Sequence, residues 1–346
     1  QSVGHLIAAT IERSRVYRRW YQETVLTYDD LPVDRATGIF LGRSPAIRPV
    51  LTLIDKIAPT DCTVLITGET GTGKGALARL IHSRSGRKDN KFVAVDCGTL
   101  PETLFESELF GHIRGAFTGA VRDKIGIFES ANGGTIFLDE ITNTTPAIQA
   151  KLLQVLEDKI IRRLGETQTR LVDVRLICAT NKNLINEVNA GRFRQDLFYR
   201  MNVVTINVPP LRERVQDIIP LANYFLRICA QRLNKEINGF ERDVVEAFLQ
   251  YSWPGNVREL QNTIERAVIM TQNLRITLED VGETFIHLKS SENSARSGPL
   301  TRHQLLQALE QTGGNITRAA QLLCITRRHA QRLIKRYRIK PEEFGI

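Results

Sequence analysis

Between residues 63 and 208, short unbroken apolar runs alternate with stretches whose apolar residues recur at helical spacing. Five runs, Thr63–Thr67, Phe92–Cys97, Thr135–Leu138, Val174–Ala179 and Val203–Val208, have the length and continuity of strands buried on both faces. Most segments between them read as helices. The clearest takes Thr144 or Thr145 as its cap and Pro146 as its first helical residue, then sets Ile148, Leu152, Leu153, Val155 and Leu156 on a stripe. Such alternation predicts an α/β fold with a parallel sheet covered on both sides. From Pro209 the strand runs stop. Helical patterns over Val215–Leu233, Glu241–Gln250 and Asn256–Met270, broken at Pro254-Gly255, predict a smaller all-helical subdomain over residues 209–285.

The two ends differ from this middle. Residues 1–36 form an N-terminal helix and linker, with Val3, Leu6, Ile7, Ile11 and Val16 near one stripe and Arg13, Arg15, Arg18 and Arg19 outside it. That stripe needs a partner surface to cover it. The chain opens at Gln1 rather than Met, which suggests a fragment or a processed form, and the stripe is expected to pack on a partner subunit or on a missing upstream domain. Residues 286–299, including Ser290–Pro299, are small, polar and poor in apolar side chains, so a flexible linker is expected before a final domain at 300–346.

Composition narrows the field. Hydrophobic content of 42% and charged content of 25% are those of an ordinary globular chain. No apolar run is long enough to span a bilayer, no secretory h-region is visible, and a cytoplasmic location is expected. The five cysteines, at 62, 97, 178, 229 and 324, form no CxxC pair and read as buried thiols in a reducing compartment. Net charge is +9, and nine basic against three acidic residues place +6 of it after Leu300. A polyanion partner or a solvated charged face both fit that concentration.

The chemistry begins at Gly68-Glu69-Thr70-Gly71-Thr72-Gly73-Lys74, which follows the apolar run Val64-Leu65-Ile66 and precedes a helical pattern. Glycines let the backbone wrap an anion, its N–H groups point inward, and the lysine reaches the β and γ phosphates of a nucleotide. Gly75 stands where Ser or Thr usually supplies a Mg²⁺ ligand, so other groups must hold the metal. Thr135–Leu138 ends in Asp139 and Glu140, placing Asp139 as the metal-associated carboxylate and Glu140 as general base. Asn181-Lys182-Asn183 approaches a guanine-reading motif, but Leu184 takes the place of its aspartate, which favours ATP. Thr180 and Asn181 end the fourth strand, where a polar side chain contacts the γ-phosphate or merely closes a turn. Arg194, Arg200 and Arg258 are candidates to neutralise a transferring phosphoryl group, although each alone is more often a surface arginine.

The run Glu106-Ser107-Glu108-Leu109-Phe110-Gly111-His112 precedes the hexapeptide Gly115-Ala116-Phe117-Thr118-Gly119-Ala120. Together they resemble the signature of bacterial enhancer-binding proteins, the AAA+ activators of sigma-54 RNA polymerase. The likeness runs from about Phe40 to Met270, takes in Pro209–Arg214 and Trp253-Pro254-Gly255-Asn256, and resumes at the C-terminus. It implies an AAA+ P-loop sheet over 37–208 with the helical segment as its lid. ATP and Mg²⁺ would sit at the subunit interfaces of a homo-oligomeric ring, usually a hexamer, with a dimer as the inactive form. Arg194 and Arg200 then match arginine fingers acting in trans, Arg258 matches sensor II and Thr180-Asn181 sensor I. The hexapeptide becomes a mobile loop tip whose exposed Phe117, with Thr118, engages sigma-54. Ile7–Arg15 more briefly resembles the last helix of a GAF sensory domain.

The chain departs from the family at Gly75, where Glu is common, at Thr142-Asn143, at Ile113, and at Asp96, where Asn is usual. In the family that Asn hydrogen-bonds the catalytic glutamate. An ionised Asp96 has no proton to donate to Glu140, so basal turnover is expected to depend less on sigma-54.

Residues Asn315–Lys335 read as one helix with an apolar Ala319, Ala320, Leu322, Leu323 core, a turn at Cys324-Ile325, and a second, basic helix. That is a helix-turn-helix, and it resembles the Fis-type domain of the same family. Arg327, Arg328, Gln331 and Arg332 fall where base edges of double-stranded enhancer DNA are reached, and Lys335 where phosphate is. A hairpin for protein contact is the alternative. The whole reading is an ATP-hydrolysing, DNA-bound remodeller of the sigma-54 polymerase closed complex. An AAA+ remodeller without a role in transcription would lack the hexapeptide and the basic helix-turn-helix. A non-enzymatic repressor would not need Asp139, Glu140 or the arginines.

Overall fold

The computed structural model describes residues 33–34, 37–39, 41–282, 285, 302–323, 327–337 and 339. The expected N-terminal helix, the linker Ser290–Pro299 and the turn at Cys324-Ile325 lie outside the described residues. Helix α1 (Arg48–Ile57) precedes strand β1 (Val64–Thr67), which enters the glycine-rich turn and helix α2 (Lys74–Ser83). Next come β2 (Phe92–Asp96), α3 (Glu102–Phe110), the short strands β3 (Gly111–His112) and β4 (Lys124–Ile125), and α4 (Ile127–Ser130). Strand β5 (Thr135–Asp139) leads to α5 (Pro146–Asp158), a hairpin of β6 (Ile160–Arg162) and β7 (Thr169–Leu171), and then β8 (Arg175–Thr180). Helices α6 (Leu184–Asn189) and α7 (Gln195–Met201) precede β9 (Val204–Asn207). Helices follow: α8 (Val215–Arg232), α9 (Arg242–Gln250), α10 (Asn256–Met270), α11 (Leu278–Val281), α12 (Arg302–Gln311), α13 (Ile316–Leu322) and α14 (Arg327–Arg336).

All five expected strands form, in one parallel sheet of order β2-β5-β8-β1-β9. The runs of the central strands β1, β5 and β8 are unbroken because both their faces are buried, while the edge strands β2 and β9 are more exposed. Val64 and Ile66 join Phe137, Ile177 and Ala179 in a core under α1 and α2. Leu65 joins Ile136, Leu138, Leu176 and Cys178 in a second core under α3, α5 and α7. The period of two thus sorts neighbouring side chains to opposite layers.

Thr145 does take the cap position before Pro146, with extended ψ of 158°, but its hydroxyl makes no capping bond and is buried without a partner. The two small hairpins were not expected, because strands of two or three residues carry no readable periodicity. They are stitched together: the N–H of Ile113 donates to Leu164 O at 3.1 Å, and the N–H of Leu164 donates to Gly111 O at 2.9 Å.

Two compact units divide the chain. The first holds residues 1–239 and 252–270, so α8 and α10 belong with the sheet. The second holds 240–251 and 271–346. Within it Phe248 meets the rings of Phe240 and Phe285 edge-on, each at 5.5 Å. Helices α12, α13 and α14 bury Leu305, Ala308, Leu309, Ala319, Leu333 and Ile339 together. Asn315 caps α13 by accepting the N–H groups of Thr317 and Arg318 at 3.1 Å.

Arg175, at the start of β8, is 1% exposed and donates to the carbonyls of Ala58 at 2.6 Å and Ile57 at 2.9 Å. It therefore satisfies carbonyls left open at the end of α1. Arg175→Met keeps the bulk and removes both donors. It should lower stability by about 2–3 kcal/mol in urea unfolding, and an unchanged midpoint would show that the cap contributes nothing.

Candidate functional site

The C-terminal edge of a parallel sheet is where open α/β folds place their ligands, and here the register assembles the expected side chains there. Asp96 and Asp139 are direct partners on β2 and β5, while Thr67 on β1 pairs with Thr180 on β8. Above that edge the turn from Gly68 curls into α2. Gly71 and Gly73 take φ of 81° and 100°, a region that other residues rarely enter. At Gly71 an added Cβ would also lie 2.3 Å from the carbonyl oxygen of Gly255, so the loop and the start of α10 touch.

Lys74 opens α2 and is buried. Its Nζ donates to Gly68 O at 3.0 Å and to Glu69 O at 3.4 Å, and lies 3.5 Å from Glu140 Oε1. The ammonium is thus folded over its own loop, held by groups weaker than a phosphate. Glu140 leaves β5 with φ of 51°, a left-handed turn that costs a non-glycine residue about 1–2 kcal/mol. Its Oε2 accepts the N–H of Asn181 at 3.2 Å, and Asn181 Nδ2 donates to Thr70 Oγ1 at 2.9 Å. Asn181 therefore ties the loop to the acid. Thr72 is buried and its hydroxyl donates to Glu69 O at 2.8 Å.

Asp139 accepts the N–H of Glu140 at 3.0 Å. Burial pushes its carboxyl above the usual range, Lys74 opposes that, and Glu140 and Asp96 add to it. With Glu140 paired to Lys74, Asp139 is the carboxylate beside the loop that could meet a divalent cation. Among the described residues no group of three His, Cys, Asp or Glu side chains forms a metal site by itself. Among the described residues a Cβ at Gly75 would meet only the Phe137 ring, at 3.6 Å, an ordinary contact distance that does not demand glycine there.

The cavity over this edge measures about 880 Å³ and is lined by Thr70–Ala76, Asp96, Asp139, Glu140, Asn181 and Arg258, together with the apolar or aromatic Ile39, Leu41, Tyr224 and Phe225. Glu69, expected to bind the nucleotide, instead turns outward. It is clamped by Arg212 at 2.6 and 2.8 Å and by Asn256 at 3.2 Å, and Arg212 chiefly holds its carboxyl down to about 2. Asp96 lines the cavity, and its Oδ1 accepts the N–H of Gly98 at 2.8 Å. In this structure Glu140 is restrained by Lys74 and Asn181.

Arg194 and Arg200 are not brought to this cavity. Arg194 is exposed and pairs with Asp196 at 2.7 Å, and Arg200 Nη2 reaches Leu156 O at 3.4 Å. The hexapeptide forms a closed turn: the N–H of Gly115 donates to Ala120 O at 2.9 Å and that of Ala120 to Phe117 O at 3.0 Å. Thr118 is exposed, but Phe117, expected to be exposed, is half-buried. Its ring packs edge-on against His112 with centroids 5.0 Å apart, and His112 Nδ1 lies 2.7 Å from Ser107 Oγ. On α14, Gln331 and Arg332 are exposed.

Sequence reading missed several residues at the site. Arg214 is buried beside the loop with Nη2 on Thr72 O at 3.2 Å, and Asp217 accepts the N–H groups of Arg43 and Ser44 at 2.7 and 2.9 Å. Asn256 and Arg212 reach Glu69. Their only signal was membership of the Pro209–Arg214 and Trp253–Asn256 runs.

Three family descriptions match in order along the chain: the Sigma-54 interaction domain over 40–207, the AAA+ ATPase lid domain over 212–298, and the bacterial regulatory protein Fis family over 302–337. The chain is 46% identical over 299 residues to the transcriptional regulatory protein ZraR of Klebsiella oxytoca, covering 83% of this chain and 66% of that one. It is 42% identical over 322 residues to the response regulator protein PilR of Pseudomonas aeruginosa, covering 90% of this chain and 71% of that one. The chain thus spans about two thirds of the length of these relatives. Among solved structures it matches NtrX from Brucella abortus in complex with ATP at 31% identity and a TM-score of 0.65, covering 96% of this chain and 74% of that one. The chain belongs to the sigma-54 activator family, with an AAA+ P-loop domain, a helical lid and a Fis-type helix-turn-helix.

Two substitutions separate binding from turnover. Lys74→Ala should abolish ATP binding in a direct titration, because the phosphate charge loses its buried cation. Glu140→Gln should retain ATP binding and lose hydrolysis by roughly 10²-fold or more. Unchanged turnover in Glu140→Gln would show that the base lies elsewhere.

Proposed function

We propose that the chain is an ATP-driven activator of transcription that binds enhancer DNA through α12–α14 and remodels the closed complex of sigma-54 RNA polymerase. The observation that carries this is the coexistence, in one chain, of a phosphate cradle with an adjacent base and a small-residue loop tip built on its own hairpin. A nucleotide site alone would serve many purposes. The loop tip gives hydrolysis something to move.

In this mechanism the N–H groups of Gly71–Lys74 and the Lys74 ammonium receive the β and γ phosphates of ATP, and Arg258 closes from α10. Asp139, with water in place of the hydroxyl that Gly75 lacks, would hold Mg²⁺, whose charge offsets that of the phosphate oxygens. As Lys74 moves onto phosphate, Glu140 is freed to accept a proton from the attacking water. Arg194 and Arg200, which lie away from their own chain's cavity, fit fingers reaching into a neighbouring copy, as a homo-oligomeric ring, usually a hexamer, requires. Each cycle would shift the β3–β4 hairpin and carry Thr118 and Phe117 against sigma-54. As a DNA-binding regulator the protein would act in the bacterial cytoplasm. The names of ZraR as a transcriptional regulatory protein and of NtrX as a complex with ATP support the reading.

Open-complex formation on a sigma-54 promoter tests it, with ATP hydrolysis followed in parallel. The wild type should melt the promoter only when ATP is supplied. Thr118→Ala should retain ATPase activity and ring assembly and fail to open the promoter. Melting at the wild-type rate by that variant would contradict force transmission through the loop tip.

The DNA role has its own check. Arg332→Ala should weaken binding to the specific site by about 1–3 kcal/mol in a titration if it reads a base edge. An equal loss on every DNA sequence would make it a phosphate contact instead.

A further inference from the structure

Asn256 is fully buried and takes φ of 54°, one of the few non-glycine residues in the left-handed region. Its carboxamide is saturated. Oδ1 accepts the N–H of Leu211 at 2.8 Å, and Nδ2 donates to Thr70 O at 3.0 Å and Glu69 Oε2 at 3.2 Å. One side chain therefore joins the phosphate loop, the turn that leaves β9, and the start of α10. The next two residues complete the joint. The N–H groups of Val257 and Arg258 both donate to Gly71 O, at 2.9 and 3.3 Å, so a loop carbonyl satisfies the open first turn of the helix. Arg212 closes the outer side through its two bonds to Glu69.

We propose that Asn256 is a positioning residue that holds the phosphate loop in its anion-binding curl and passes the state of that loop directly into α10. Nucleotide phosphate reorients the amides of Gly71–Lys74, and the Gly71 carbonyl cannot turn without moving the amides of Val257 and Arg258. The lid helix then senses phosphate through backbone as well as through the Arg258 guanidinium. The role rests on the reading of Gly68–Lys74 as an ATP site.

A simpler account is that position 256 needs only a residue tolerant of positive φ. Glycine meets that need and lacks the carboxamide, so Asn256→Gly separates the two. In titrations of the full chain with ATP, Asn256→Gly should bind about tenfold more weakly, equivalent to one or two lost hydrogen bonds. Turnover at saturating ATP should stay within about threefold, because no reacting group is touched. Asn256→Asp keeps the bond to Leu211 but turns both donors into a carboxylate facing Glu69, and should bind more weakly still. Adding Glu69→Gln to it restores a donor and should recover binding. Hydrogen exchange at Val257 and Arg258 without nucleotide should be slow in the wild type and faster in each single variant. That arm needs no ATPase activity, so a wild type inert toward ATP would overturn the nucleotide site and leave the joint measured. If Asn256→Gly unfolds, Arg212→Met tests the same joint from an exposed position, with a predicted loss of about threefold in ATP affinity. Wild-type affinity and exchange in Asn256→Gly or Arg212→Met, or no recovery on adding Glu69→Gln, would overturn the proposal.

Discussion

A buried ammonium must be surrounded by oxygen, and in this protein the oxygens around Lys74 are the two loop carbonyls of Gly68 and Glu69 and the carboxylate of Glu140. That arrangement sets the resting state of the site. On the proposed reading, the cation waits beside the place phosphate would occupy, and the carboxylate proposed as base stays paired with it. Both halves depend on the sheet, because the register of β1, β8 and β5 brings the loop, Asn181 and Glu140 to one edge. Neutral carbonyls at 3.0 and 3.4 Å are weaker partners than phosphate, so nucleotide can displace them at low cost.

Backbone strain concentrates around the same edge. Glu140, Trp253 and Asn256 all take positive φ, and Trp253 and Asn256 are fully buried. Residues held this way persist only where their surroundings over-determine them. For Asn256 the surroundings are the phosphate loop itself, and for Glu140 they are Lys74 and Asn181. Strain is therefore stored where nucleotide would rearrange the contacts that hold it.

The sheet was legible because the central strands β1, β5 and β8 are buried and the edge strands still carry short apolar runs, so all five strands were placed within one residue. The helix after Thr145 was legible through Pro146. Less visible was anything made by tertiary contact between distant segments. The β3–β4 and β6–β7 hairpins are too short for periodicity and exist because Leu164 bridges them. Arg214 and Asp217 look like surface charges in a polar run, yet both are buried, Arg214 beside the loop at Thr72 and Asp217 against Arg43 and Ser44. Phe117 sits among small residues that suggest exposure, and only the fold reveals His112 beneath it. The outward turn of Glu69 follows from Arg212 and Asn256, residues more than a hundred positions away in the chain.

The central claim is that Lys74 is borrowed from phosphate in the resting state and that its departure releases Glu140. A structure of the full chain with a non-hydrolysable ATP analogue measures this directly through the distance from Lys74 Nζ to the Glu140 carboxylate. The account predicts that Nζ leaves the carbonyls of Gly68 and Glu69, sits on the β and γ phosphates, and no longer lies within ion-pair distance of Glu140. A nucleotide-bound structure that keeps the 3.5 Å contact between Lys74 and Glu140 would contradict it.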